Sequence, residues 1–572
     1  MKTWNFYKNI DEYINLVITG KIHACKEQKK LIKFLEKEVR DNDEIFIDEI
    51  TIDRFIEVTE KYFFPLYPAQ KMMASLILGC RYKRTGFLVF PSVFIMMGRG
   101  GGKNGFISAL SFFLTSNDNR SVTYEDYLKM REDKSVIWEI PAIKNYHVDI
   151  VANSEEQAKC SFQEVYSVVD SSPKKIKKLY RYNLKEITFK KTGSTLKYRT
   201  SNPKTKDGLR SGCVIFDEIH EYDNDSIIHV FTGGLGKVSD PRQIYITTNG
   251  FNRESVLDNM IDRAEKILNE ERPHNGFLPI IFKLDNIKEL GKEELWDKAN
   301  PRINYDETLR SVIKNEYEDT KYSESAKEAF LTKRMNLPYR NKNLAICSVE
   351  DLKSTMGEIP DLTGEPCIAG VDFADLNDFC SAVLRFEKDG NQYVLHHTWI
   401  HETALEGIEY NVDLRSAIKE GWAEEVKTED HRTISPDLVA EWFQKMAKKY
   451  YIKSIHCDSF RWSALEQAFN AVGLGGITKE VRSGSISHNK VAPLILQLFK
   501  DRKIFFGEDK MMRWYVSNSK VITDKKGNKT FQKIEPYKRK TDGFFALVHS
   551  FIDVEENALS GNDFQFYEPI LF

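Results

Sequence analysis

The chain has 572 residues, 41% of them hydrophobic and 29% charged, with a formal net charge of −2. That length exceeds one ordinary core and calls for two domains or more. The apolar share excludes a disordered chain, and the near-neutral balance requires any nucleic-acid surface to be local. Eight cysteines are scattered without a C-x-x-C pair, which argues against a zinc cage and for a reducing cytosol. The N-terminus lacks the apolar core of a signal peptide. The most apolar run, Phe87 to Met97, is broken by Pro91 and Ser92 and is too short to cross a bilayer, so no membrane association is expected.

Residues 1–60 are charged and periodic, an N-terminal helical segment with no legible role. From 61 to 340 strand-like and helix-like runs alternate. Val93 to Met97 reads as a short buried strand, followed by a glycine-rich loop and a helix over Gly105 to Leu114. Tyr146 to Ala152 is a second strand; Ser154 caps the next helix, with Gln157 closing a capping box. Cys213 to Phe216 and Gln243 to Thr247 are two more buried strands. This rhythm predicts a mainly parallel sheet with helices on both faces.

The loop, Met97-Gly98-Arg99-Gly100-Gly101-Gly102-Lys103-Asn104, stands between strand and helix as a phosphate-binding loop must. Its glycines let backbone N–H groups converge on phosphate oxygens, the helix points its positive end at the same anion, and Lys103 pairs with the β/γ-phosphates. Met97 occupies the place of the usual first glycine. Asn104 replaces the Ser/Thr that ligates Mg²⁺, a role an amide oxygen fills more weakly. A flexible glycine turn fits the same residues. Val214-Ile215-Phe216-Asp217-Glu218 is an apolar strand ending in two carboxylates, Asp217 to hold Mg²⁺ through water and Glu218 to polarise the attacking water. Ile246-Thr247-Thr248-Asn249-Gly250 ends a further strand in small polar residues suited to sensing a γ-phosphate, or simply in an Asn-Gly turn.

Lys174 to Arg210 holds thirteen Lys/Arg and two acids, a local excess of +11, interleaved with Tyr180, Tyr182, Phe189 and Tyr198. Such a stretch is either a solvated hairpin with basic edges or a track for phosphates.

Residues 341–365, with Gly357, Pro360 and Gly364, read as a linker before a second α/β pattern over 366–572. There Cys367 to Phe373, Ser381 to Phe386 and Tyr393 to Trp399 are three consecutive strands, and Ser454 to Cys457 a fourth. Asp437 to Lys449 is an amphipathic helix, and Val521 to Ile534 a hairpin. Asp372 sits on the first strand, Asp458 ends the later one, and Asp542 opens an apolar helix over Phe544 to Ile552. Acids from two strands and a helix can converge in a ribonuclease H-like fold, where divalent cations relieve their repulsion. A chain with many acids also offers strand-end Asp residues by chance. His456 shares a strand face with Asp458, and a structural histidine is the favoured reading. Lys533, Lys538, Arg539 and Lys540 form a second basic group before Asp542.

Together these motifs resemble the large subunits of tailed-phage DNA-packaging terminases over most of residues 60–572. Tyr67-Pro68-Ala69-Gln70 stands upstream of the loop as that family's adenine-reading Gln70 motif does, and Arg99 inside the loop is similar to its habit. So are Asp207 to Gly212 running into Phe216 to Glu221, Phe330 to Asn336, and Met512 to Asn518. The resemblance implies a RecA-like P-loop ATPase followed by a ribonuclease H-like nuclease. Asp372, Asp458 and Asp542 match the metal-binding acids, Asp378 sits where a further acid often follows the first strand, and Asp375 is a weaker candidate. It further implies ATP with one Mg²⁺ and two Mg²⁺ or Mn²⁺ at the nuclease. The implied partners are double-stranded DNA, a procapsid portal protein and a small terminase subunit, with the chain in a homo-oligomeric ring in the host cytoplasm. Arg99 and Arg210 are both candidate stimulating arginines. The rival readings are a helicase-like ATPase with a repair or restriction nuclease, which needs a second motor domain, and a DNA-binding assembly protein with decayed sites, for which Asn104 speaks.

Overall fold

The structure is a computed structural model that describes residues 3–552, apart from 201–209, 223–224, 252–254, 340–344, 375–377, 406–409, 411, 430, 525–526 and 535–538. Asp207 to Leu209, Asp375 and Lys538 therefore lie outside the described residues. The chain divides into two compact units, Met1–Tyr339 and Arg340–Phe572.

In the first unit, β1 (Ile45–Ile47) and β2 (Cys80–Tyr82) form a small antiparallel ribbon. The main sheet comprises β3 (Ser92–Met96), β4 (His147–Ala152), β5 (Tyr180–Tyr182), β6 (Glu186–Phe189), β7 (Ser194–Thr200), β8 (Ser211–Asp217), β9 (Arg242–Thr247) and β10 (Phe277–Ile281). Its order is β10-β3-β9-β8-β4-β7-β6-β5, parallel from β10 to β7 and antiparallel at the β7-β6-β5 edge. The central parallel strands β3, β8 and β9 are largely apolar runs because helices cover both faces; all seven residues of β8 are buried. The expected capping box is present, Ser154 accepting from the Gln157 N–H at the start of Glu155–Ser171. Residues 1–60 supply the helices Lys8–Ile18, Lys26–Leu35 and Glu49–Tyr62. Their apolar faces, including Tyr13, Leu31 and Phe55, belong to the same core as Val93 and Ile95 of β3. Gln28 Nε2 donates to the Ile281 carbonyl of β10 at 2.7 Å, tying this segment to the sheet edge.

The second unit holds a mixed sheet of β11 (Pro366–Asp372), β12 (Cys380–Lys388), β13 (Asn391–His401), β14 (Ala423–Val426), β15 (Tyr451–Cys457), β16 (Thr478–Glu480) and β17 (Ile504–Phe505). The order is β14-β13-β12-β11-β15-β16, with β17 beside β13. β11, β12 and β13 run antiparallel to one another, and β15 lies parallel to β11. This is the ribonuclease H-like arrangement. β18 (Ser519–Thr523) and β19 (Lys529–Lys533) make the expected hairpin. Within 341–365 the helix Val349–Ser354 docks on this unit, Arg502 pairing with Asp351 at 3.1 Å.

Candidate functional site

In the first unit the parallel strands β3, β8 and β9 deliver their C-terminal ends to one edge of the sheet, where α/β proteins bind ligands. The loop after β3 leads into the helix Lys103–Thr115, with Gly100 and Gly102 both at φ 84. Gly98 answers a close approach: a Cβ there would stand 2.1 Å from the Arg334 carbonyl oxygen. The loop is braced from outside. The Gly98 N–H donates to Ala299 O at 2.9 Å and the Arg99 N–H to Lys333 O at 2.7 Å. Arg334 Nη1 and Asn300 Nδ2 both donate to Arg99 O, at 2.8 and 2.9 Å. Tyr67 Oη donates to Gly101 O, and Gln70 Nε2 reaches Gly102 O at 3.3 Å, so the Gln70 motif touches the loop directly.

Lys103 is buried, its ammonium donating to Met97 O at 2.7 Å; burial pushes its pKa down against the pull of Glu218 and Asp217. Asp217 ends β8 with a buried Oδ1 that has no hydrogen-bond partner. Burial and the neighbouring Glu218 raise its pKa to about 7. That is the signature of a carboxylate arranged for a cation, which would restore its charge. Glu218 follows in the left-handed region, φ 51. Burial raises its pKa, but the adjacent His220 ring and the charges of Lys103 and Lys333 prevail and hold it at about 2. His220 Nδ1 lies 3.1 Å from Glu218 Oε2, and Lys333 Nζ donates to His220 Nε2. Asn336 latches the end of β9, its Oδ1 accepting the Asn249 N–H at 2.9 Å and its carbonyl accepting Asn249 Nδ2 at 3.1 Å. Thr248 and Asn249 are both buried beside this latch. Asn104 is the second residue of the loop helix and half-buried. Arg210, one of the candidate arginines, is exposed just before β8.

In the second unit Asp372 ends β11, Asp458 follows β15, and Asp542 begins the helix Asp542–His549. The helix can lie on β11 because Gly370 has no side chain: a Cβ there would sit 1.9 Å from Ala546 O. Burial raises the Asp372 carboxyl well above its usual range, and Asp542 and Asp458 add to the rise. Burial with Asp378 nearby brings Asp542 to about 7, and burial brings Asp458 to about 6. Asp542 Oδ2 and Asp458 Oδ1 are buried without hydrogen-bond partners. Hard oxygen donors that repel one another and lack partners fit Mg²⁺ or Mn²⁺ rather than Zn²⁺. Among the described residues no three His, Cys, Asp or Glu side chains are grouped closely enough to hold a metal ion as they stand. Asp378 pairs instead with two lysines, Lys533 at 2.8 Å and Lys540 at 2.7 Å, which keep it ionised against its burial. His456 is a core histidine, its ring Nδ1 donating to His549 O at 3.0 Å.

Sequence reasoning missed His220, Lys333 and Asn336 as parts of the first site. The Phe330 to Asn336 motif was the available signal, but nothing in it tells where its side chains point.

A family model described as the terminase large subunit, endonuclease domain, matches residues 271–557, and one for the ATPase domain of the same subunit matches residues 141–266. The first begins ahead of β10, inside the first compact unit, and the phosphate loop precedes both matches. The terminase large subunit of Lactococcus phage p2 is 23% identical over 401 residues, 67% of this chain and 69% of that one. The crystal structure of the HK97 bacteriophage large terminase is 19% identical, with TM-score 0.45, covering 87% of this chain and 99% of its own. The large terminase nuclease of thermophilic phage G20c with bound magnesium is 10% identical, with TM-score 0.24, covering 36% of this chain and 96% of its own.

Proposed function

The chain belongs to the terminase large subunit family, an ATPase joined to an endonuclease that packages DNA and cuts concatemers, and from that premise we propose how its residues divide the work. The loop of Gly98, Arg99, Gly100, Gly101 and Gly102 wraps the phosphates of ATP, with the Gly100 and Gly102 N–H groups toward the phosphate oxygens, Lys103 on the β/γ oxygens and Gln70 at the adenine. Asn104 and Asp217 flank one Mg²⁺; Glu218 polarises the attacking water. Thr248 and Asn249 follow the γ-phosphate, and Arg99 supports transition-state charge. Residues 61–340 form the motor with the 1–60 helices built onto it, 341–365 link, and 366–572 cut.

In the second unit Asp372, Asp458 and Asp542 hold two divalent cations, Mg²⁺ or Mn²⁺, with Asp378 beside them. When bound, such a pair neutralises the attacking and leaving oxygens of a phosphodiester together. Asp378, held ionised by Lys533 and Lys540, keeps a negative charge next to the metal-binding acids. Double-stranded DNA is tracked by the basic stretch. The chain works as a ring on a procapsid portal with a small terminase subunit, in the host cytoplasm.

The observation that carries this division is that one parallel strand end in each unit bears a buried carboxylate oxygen without a hydrogen-bond partner, Asp217 in the first and Asp458 in the second. The test uses the full chain with DNA and Mg²⁺ or Mn²⁺. Glu218→Gln should lower ATP turnover by roughly two orders of magnitude or more and leave DNA cleavage intact. Asp458→Asn should stop cleavage and leave ATP turnover intact. Loss of both activities from either substitution, or of neither, refutes the division.

A further inference from the structure

One element braces the phosphate loop, reaches the residues after β8 and carries a cation that the roles above leave unused. Phe330–Arg334 is a π-helical turn, a local geometry that tends to mark functional sites. Its Lys333 carbonyl accepts the Arg99 N–H at 2.7 Å and its Arg334 side chain donates to Arg99 O at 2.8 Å, so the turn is bolted to the phosphate loop. Two residues on, Asn336 holds Asn249 at the end of β9. The half-buried Lys333 side chain meets a third part. Its ammonium donates to His220 Nε2, which leaves the His220 proton on Nδ1, facing Glu218 Oε2 at 3.1 Å and Thr247 Oγ1 at 3.0 Å. A polar chain thus runs Lys333–His220–Glu218.

We propose that Lys333 is a ligand of the nucleotide's terminal phosphate, joined through His220 to the water-polarising Glu218. The inference rests on the reading of the phosphate loop as the nucleotide site. Arg99 and Lys103 both act on Lys333 through their charge, and Glu218 and Glu221 act on it in the opposite sense. Burial, together with the cations Arg99 and Lys103, brings Lys333 down to about 8 against the pull of Glu218 and Glu221. A phosphate among three such cations relieves their repulsion and restores a full charge on Lys333. The terminal phosphate is the one addressed, because Lys333 is joined through His220 to Glu218, which must face the water that attacks that phosphorus. A diphosphate lacks the group. Loss of the terminal phosphate therefore leaves the Lys333 ammonium to His220 alone and changes the His220 contact beside Glu218. Lys333 and Asn336 lie on the last stretch of the first unit, before Tyr339, so the same residues that read the phosphate end the motor's chain.

The competing explanation is a structural lysine that merely offsets Glu218 and Glu221. Binding preference separates the two. Affinities of the full chain for Mg²⁺ with a non-hydrolysable ATP analogue, and for Mg²⁺ with ADP, are measured for Lys333→Ala, Lys333→Arg and the parent. The proposal expects Lys333→Ala to weaken the triphosphate about tenfold or more while ADP stays within about twofold, and Lys333→Arg to recover part of the preference. An unchanged triphosphate-to-diphosphate ratio in Lys333→Ala, or equal weakening of both ligands, overturns it. Lys103→Ala serves as the reference and should bind neither ligand well. If Lys103→Ala binds both like the parent, the nucleotide-site reading fails first and the Lys333 proposal with it.

Discussion

At the scale of single residues, both sites place ionisable groups where burial works against their charge. Glu218 adds backbone strain, since a non-glycine residue at φ 51 costs on the order of 1–3 kcal/mol and persists only where its surroundings hold it. The adjacent His220 ring and the charges of Lys103 and Lys333 favour the ionised carboxylate in that place. The second unit contains the opposite case in His549. Its Nδ1 donates to Val371 O at 2.8 Å, one residue before Asp372, and its Nε2 is buried without a hydrogen-bond partner. Burial lowers its pKa to about 4, with His488 and His456 adding to the fall. The folded pKa lies below the unfolded value of about 6.5, so the folded state prefers the neutral ring. Its contribution is fully present above that unfolded value and is lost as pH falls toward 4. The loss is on the order of 3 kcal/mol across that window. His549→Gln should flatten the acid side of the second unit's urea midpoint, followed by tryptophan fluorescence between pH 6.5 and 4. An acid slope equal to the parent's would show that His549 does not titrate as its burial requires.

At the scale of elements, the nuclease acids depend on how closely one helix approaches one strand. The helix Asp542–His549 lies on β11 at Gly370, where Ala546 O occupies the space of a Cβ and Ser550 N lies 2.8 Å from it. These are backbone atoms and cannot swing aside. Gly370→Ala must lift the helix and carry Asp542 away from Asp372, at a cost of about 1–3 kcal/mol. DNA cleavage should fall at least tenfold, and the rise in melting temperature on adding Mn²⁺ should shrink, with ATP turnover unchanged. A variant that cleaves like the parent would mean that the helix position does not set the acid cluster.

At the scale of the whole molecule, a net charge of −2 conceals a segment with an excess of +11 over Lys174 to Arg210. The fold puts the described part of that segment on the β5-β6-β7 edge of the first sheet and on the short helix Lys174–Lys177. Some of its cations are already matched: Lys197 pairs with Glu186 at 2.7 Å, and Lys177 approaches Asp170 at 3.5 Å. Lys174, Lys175 and Lys178 are exposed. Changing Lys174, Lys175, Lys177 and Lys178 together to Gln should weaken binding to duplex DNA and make its salt dependence less steep, by about 0.9 in the log–log slope for each phosphate that is no longer neutralised. Filter binding across a salt series reads both. A slope equal to the parent's would return these lysines to the role of solvated surface.

What the sequence determined by itself was local. The strand–loop–helix around Gly98 to Asn104, the Asp217–Glu218 strand end, the Ser154–Gln157 box and the positions of Asp372, Asp458 and Asp542 at strand and helix ends follow from near-neighbour periodicity and backbone chemistry, which act over a few residues. β10 escaped that reading because Phe277–Ile281 contains Pro279 and five buried residues without alternation, a pattern that only its place beside β3 explains. The 1–60 helices were legible as helices, but the sheet edge they cover was not. Tertiary structure alone decided that Lys333 meets His220 across 113 residues, that Asn336 meets Asn249 across 87, and that Asp378 turns to Lys533 and Lys540. Such pairings are set by packing of distant elements around a shared core and by the cost of burying a charge without a partner, and neither leaves a periodic trace along the chain.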